Sequence, residues 1–154
     1  MFIGKLPHQA DLLGALAGVA AENGIRAGMV QVTGALQRAK VGFYDQWMKA
    51  YRELPFNEPL EIVSGVGNVS QRDGAPFVHL HLSLSNSEGK VIGGRGMEGC
   101  IIFAAEFFIL PLPGIEPIRT LDETTGLQLW RQALYATGRE KELSPELQRA
   151  LFNP

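Results

Sequence analysis

Val78-His79-Leu80-His81-Leu82-Ser83-Leu84-Ser85 alternates without a break between apolar and polar side chains. Period-two alternation marks a β-strand with one face buried and the other open. Val78, Leu80, Leu82 and Leu84 therefore belong to a core, and His79, His81, Ser83 and Ser85 form a polar stripe. Two imidazoles two residues apart on one side of a strand can converge on one metal ion, or on one anion if they are protonated. The plainer reading is a solvated or hydrogen-bonded strand face, because two histidines are too few for a closed metal site.

Working outward, Asp73-Gly74 is a hairpin-turn signal joining this strand to an earlier one over Leu60 to Val69, and Ser87-Glu88-Gly89 is a second turn. Gly28 to Tyr44 reads as strand, with Gly34 and Gly42 as bends or bulges. Trp47 to Asn57 reads as a polar, aromatic connection. Gly99 to Leu112 is a nearly continuous apolar run whose Ile and Phe content predicts a strand covered on both faces. Ile115 to Leu121 and Leu127 to Trp130 predict a hairpin around Asp122-Glu123-Thr124-Thr125-Gly126.

Met1 to Leu6 predicts a first strand. Asp11 is a helix N-cap followed by Leu12, Leu13, Leu16, Val19 and Ala20 at helical spacing, with Asn23-Gly24 as the stop and Ile25 as the contact that follows a glycine C-cap. Gly14 and Gly18 would let this helix sit close to a sheet. Ser144-Pro145-Glu146 starts a C-terminal helix. The expected fold is α/β (α+β): a mainly antiparallel sheet, one principal helix packed on it, and a helical tail. One domain over residues 1–130 and an extension over 131–154 packed on it are expected, with no internal repeat.

The 154 residues suffice for one core, and 45% hydrophobic against 19% charged residues excludes a disordered chain. The 18 glycines show no period, which excludes collagen and suits many turns. A net charge of -2 argues against strong binding to a phosphate backbone. One cysteine, Cys100, forms no internal disulfide and fits a reducing compartment. No apolar stretch is long enough to span a bilayer. His8 and Asp11 interrupt the leader-like order of Lys5 and Leu12 to Ala21, so a cytoplasmic location is expected.

Glu106 stands inside the apolar run, where a carboxylate needs a partner or a raised pKa. It is either a buried structural pair or a ligand or proton acceptor beside the histidines. Gly94-Arg95-Gly96-Met97-Glu98-Gly99 matches a nucleotide-binding fingerprint in letters only, since strand rather than helix follows it. Cys100 reads as a buried, inert thiol, and His8 as a polar loop residue. No Ser/His/Asp or Cys/His arrangement stands out, so catalytic residues are not assigned and an enzyme is not the leading expectation.

Gly34-Ala35-Leu36, Pro59 to Ser64, Asp73-Gly74-Ala75-Pro76-Phe77-Val78-His79-Leu80-His81, Lys90-Val91-Ile92-Gly93-Gly94, Ala105-Glu106 and Leu121 to Leu127 occur in one order. Together they resemble the plants-and-prokaryotes-conserved (PPC) domain from about Met1 to Trp130. The resemblance implies a homotrimer, and a DNA-binding or transcription-associated role. Plant members add an Arg-Gly-Arg-Pro hook for the minor groove, which this chain lacks. Many prokaryotic members add a third histidine after the paired glycines to the His-x-His pair, forming a metal site. Here that position is Arg95, which does not ligate metals. The leading expectation is thus a homotrimeric module with a small anionic ligand near His79, His81, Arg95 and Glu106, and weak or indirect contact with DNA. The alternative is a zinc-dependent enzyme or metal-binding protein using His79 and His81.

Overall fold

The computed structural model describes residues 1–136 together with Glu146 and Arg149. Its elements are β1 (Phe2–Leu6), α1 (Leu12–Glu22), β2 (Gly28–Asp45), β3 (Ala50–Phe56), β4 (Leu60–Arg72), β5 (Ala75–Ser85), β6 (Val91–Gly96), β7 (Ile101–Pro111), β8 (Arg119–Leu121) and β9 (Gln128–Trp130). The expected α/β fold is present: an antiparallel sheet dominates and α1 is its principal helix. The expected C-terminal helix from Ser144 lies outside the described residues, apart from Glu146 and Arg149, which are helical.

β2 is the spine. Its first half lies between β4 and β7, and its second half between β3 and β6. The sheet runs β1-β7-β2-β4-β5-β6 and curls until β6 returns to β2 at Val41 and Gly42. Gly34 permits the curl: its φ of 131° and a register shift mark a bulge, and a Cβ there would meet the Ala104 carbonyl. The concave side holds the core, where Val30, Val32 and Val41 of β2 meet Leu80 and Leu84 of β5, Ile102 and Ile109 of β7, and Leu12, Leu16 and Ala20 of α1.

α1 begins and ends as its caps dictate. One Asp11 carboxylate oxygen accepts the Gly14 N–H at 2.9 Å, and the other accepts the Gly99 N–H at 2.8 Å, which ties the helix start to the entry of β7. At the far end Ile25 N–H donates to the Ala20 carbonyl and Gly24 N–H to that of Ala21, with Gly24 left-handed at φ 63°. This pair of bonds is a Schellman motif.

Three expectations are corrected. Ala50–Phe56 is a strand, not a connection. Its turn contains neither Gly nor Pro. Instead, Asp45 Oδ1 accepts the N–H groups of Trp47 and Met48 at 3.0 and 2.9 Å, and Lys49 turns left-handed. Pro55 is tolerated because, among the described residues, β3 pairs with β2 alone. Gly14 and Gly18 do not let the helix approach the sheet, because a Cβ at Gly18 meets nothing within 4 Å and one at Gly14 meets only the Asp11 side chain. Among the described residues β7 is covered on one face only: Ala105, Phe107 and Ile109 are buried, whereas Phe103, Glu106, Phe108 and Leu110 are exposed. Glu106 is therefore not a buried carboxylate.

Candidate functional site

The polar face of β5 carries Phe77, His79 and His81, as the alternation predicts. The His79 and His81 Nε2 atoms lie 3.1 Å apart, so one ring can donate to the other. His79 pairs in register with Asn68 of β4, and His81 with Val66 of β4 and Arg95 of β6. Directly paired residues share a sheet face, so Arg95 stands beside His81.

Three guanidinium groups surround the Phe77 ring. Arg72, Arg119 and Arg95 lie 4.2, 5.2 and 5.7 Å from its centroid. Arg95 also lies over Tyr51 at 4.7 Å, and Tyr51 packs edge-on against Tyr44. Cation–π contact fixes the direction of each guanidinium while leaving N–H groups free. Arg119 comes from β8 and reaches back to the sheet: its Nε donates to Ser70 Oγ at 2.8 Å and Nη2 to Asn68 Oδ1 at 3.0 Å. Tyr44 Oη donates to the Thr125 carbonyl at 2.6 Å, and Lys49 Nζ to that of Glu123 at 3.3 Å. These bonds hold the β8–β9 hairpin against the sheet.

Between hairpin and sheet lies a cleft of about 640 Å³, whose walls include Lys49, Arg72, His79, Arg95, Arg119 and Trp130. Among the described residues no Asp or Glu side chain lines it. The positive field acts on its own members. His79 is held down at about 4, by burial first and then by Arg119, Arg95 and His81. Burial also lowers Arg119, followed by the charges of Arg95 and Arg72. The Arg95 Nε is buried and has no hydrogen-bond partner among the described residues. At neutral pH His79 is thus uncharged, with one N–H to give and one lone pair to offer.

The structure brings His79 and Arg95 into the cleft and places His81 beside them. Arg95 forms an ion pair with neither Glu98 nor Glu106 among the described residues. Glu106 does not join the cluster: it pairs in register with Lys5 and Thr33, and β2 and β4 separate its strand from β5. Three strand spacings amount to about 14 Å. The two histidine nitrogens have the separation of a chelating pair, but among the described residues no group of three or more His, Cys, Asp and Glu side chains could hold a metal. The residues present do not fit a complete metal site. Cys100 is buried, its thiol donates to the Lys40 carbonyl at 3.2 Å, and burial raises its pKa. His8 is more than a surface group, since its Nδ1 bonds the Phe103 carbonyl at 2.7 Å.

Sequence reading missed Lys49, Arg72 and Arg119, which are far apart in the chain and meet only through the fold. Within the stretch read as a connection, Tyr51 lies under Arg95 and Phe56 packs against the core, while Trp47 is 96% exposed. The one available signal was the Leu121 to Leu127 turn, just after Arg119.

Residues 1–113 match the model of the Plants and Prokaryotes Conserved domain. A metal-containing protein from Archaeoglobus fulgidus is 41% identical with a TM-score of 0.81, the match covering 85% of this chain and 92% of that one. A PPC protein from Pyrococcus horikoshii is 34% identical with a TM-score of 0.81, covering 87% and 92%. A Bacteroides thetaiotaomicron protein provisionally named DNA-binding is 25% identical with a TM-score of 0.76, covering 83% and 89%. No curated protein matches the chain.

Proposed function

This chain belongs to the Plants and Prokaryotes Conserved domain family, and on that footing we propose that it is a homotrimeric module whose cleft binds a small anion. The observation that carries the reading is the convergence of Arg72, Arg95 and Arg119 on Phe77 with no carboxylate lining the cleft among the described residues. Like charges held together in a partly buried place repel one another. An anion relieves that repulsion and takes the guanidinium donors in charge-assisted bonds.

Self-association draws support from the outer face of the sheet. Ile3 pairs with Phe108 and Met29 with Leu110, and all four side chains are exposed. A contiguous apolar patch of this kind suits burial against further copies of the chain. The name of the Bacteroides relative bears on DNA, but the net charge of -2 and the missing Arg-Gly-Arg-Pro hook favour weak, non-selective contact with a duplex.

Thermal unfolding tests the anion reading. Inorganic phosphate, compared with chloride at equal ionic strength, should raise the Tm by several degrees, because a ligand of the folded state stabilises it in proportion to log concentration above its Kd. A Tm that does not respond to phosphate up to millimolar concentrations would remove the reading.

A further inference from the structure

The cleft is far larger than an inorganic anion, and its volume of about 640 Å³ falls in the range of sites for organic ligands. Its two walls differ. The sheet wall presents the guanidinium groups of Arg72 and Arg95 around Phe77. The hairpin wall presents Leu127, Leu129 and Trp130. Trp130 is 45% exposed and packs edge-on against Tyr135, with ring centroids 6.3 Å apart. In the β8–β9 register Trp130 lies directly opposite Arg119. The indole and the guanidinium therefore leave the hairpin on the same face, their Cβ atoms about 5 Å apart. A charge anchor and an aromatic platform stand side by side.

Three guanidinium groups that converge from two walls are matched best by a head with several oxygens pointing apart. A phosphate monoester offers three terminal oxygens and close to two negative charges at neutral pH. A carboxylate offers two coplanar oxygens and one charge, which a single bidentate guanidinium satisfies. A backbone phosphodiester carries one charge and offers two terminal oxygens, so it matches three converging guanidinium groups less well.

Resting on the anion reading above, we infer that the cleft takes a phosphate monoester of a small molecule that carries a flat ring. Arg95 and Arg119 hold the phosphate, and Trp130 supplies the surface on which the ring lies. The N–H of neutral His79 is a further donor for the head. Base–aromatic stacking is known to add substantially to binding in other nucleotide sites.

Calorimetric titration of the full chain with four probes tests this: adenosine 5′-monophosphate, inorganic phosphate, adenosine and indole-3-acetate, at one ionic strength. The expected order is monophosphate at least tenfold tighter than phosphate, with adenosine weakest. Trp130→Ala should bring the monophosphate to the affinity of phosphate. Trp130→Phe, which keeps a ring, should retain the preference even if the alanine variant disturbs the hairpin. Equal affinity of monophosphate and phosphate for the unmutated chain, or loss of the preference in Trp130→Phe, would overturn the ligand class and leave the anion reading standing. If indole-3-acetate binds as tightly as the monophosphate, the phosphate head is wrong. Absence of binding by every probe would remove both inferences together.

Discussion

His79 and Arg95 set the chemistry of the cleft through charge rather than through reach. His79 is held at about 4, below its ordinary 6.5, so the folded chain favours the neutral ring. The unfolded chain binds the proton more readily, so between about pH 6.5 and 4 stability falls with acid. His79 contributes its full share above 6.5 and loses it as pH drops through 4. Titration of its ring resonances should show a midpoint near 4 that rises when phosphate fills the cleft; a midpoint near 6.5 in the free chain would contradict the burial and charge described above. Arg95→His exchanges a repelling charge for a third imidazole beside the pair. A unit charge at ~4 Å costs about 4 kcal/mol at an effective dielectric near 20, doubled for a divalent ion, so the exchange should raise zinc affinity by at least tenfold. Stoichiometric zinc bound to His79 and His81 in the unmutated chain would return the metal-binding alternative to first place. His79 and His81 were legible because strict alternation fixes the side of a strand from letters alone, and Arg95 because it stands where the resemblance places a third histidine. Glu106 misled for a related reason: a run of apolar letters signals burial on both faces, whereas here the outward half of that run is exposed.

Among the elements, α1 depends on one carboxylate used twice. Asp11 caps the helix with one oxygen and fixes Gly99 with the other. Loss of an N-cap costs typically ~1 kcal/mol, and loss of the second bond adds to it, so Asp11→Ala should lower stability by about 2 kcal/mol in chemical denaturation. A cost under 0.5 kcal/mol would show that the Gly99 bond contributes nothing. Gly67 serves β5 in another way: a Cβ there would collide with the His79 carbonyl. Gly67→Ala should push β5 away from β4 and weaken phosphate binding together with stability; unchanged values of both would show that the strands have room. The helix with both caps and the β4–β5 and β8–β9 hairpins could be read from capping residues and turn dipeptides. β3 could not, since its turn rests on the Asp45 side chain and its strand contains a proline.

At the scale of the molecule the cleft exists because the sheet curls and the β8–β9 hairpin folds back over it. Neither event is local. β6 meets β2 across about a third of the chain, and Arg119 bonds to Ser70 and Asn68 of β4. No periodicity encodes such pairings, which is why four of the cleft's cations could not be read as one group. The family resemblance implies, and the exposed apolar face supports, an assembly of three times the 16.8 kDa chain mass by light scattering at micromolar concentration, shifted towards monomer by Phe108→Lys. A monomer in the unmutated chain would remove the trimer. Fluorescence anisotropy with a duplex should show weak binding at physiological salt, indifferent to sequence; tight selective binding would contradict the charge argument. The central claim is that Arg95 and its neighbours form an anion site, and the most direct measurement is the Kd for inorganic phosphate at fixed ionic strength in three chains. These are the unmutated protein, Arg95→Met, and Arg38→Met as a control on the exposed part of β2. Arg95→Met should bind phosphate at least tenfold more weakly, with Arg38→Met unchanged. Equal affinity in all three would contradict that claim.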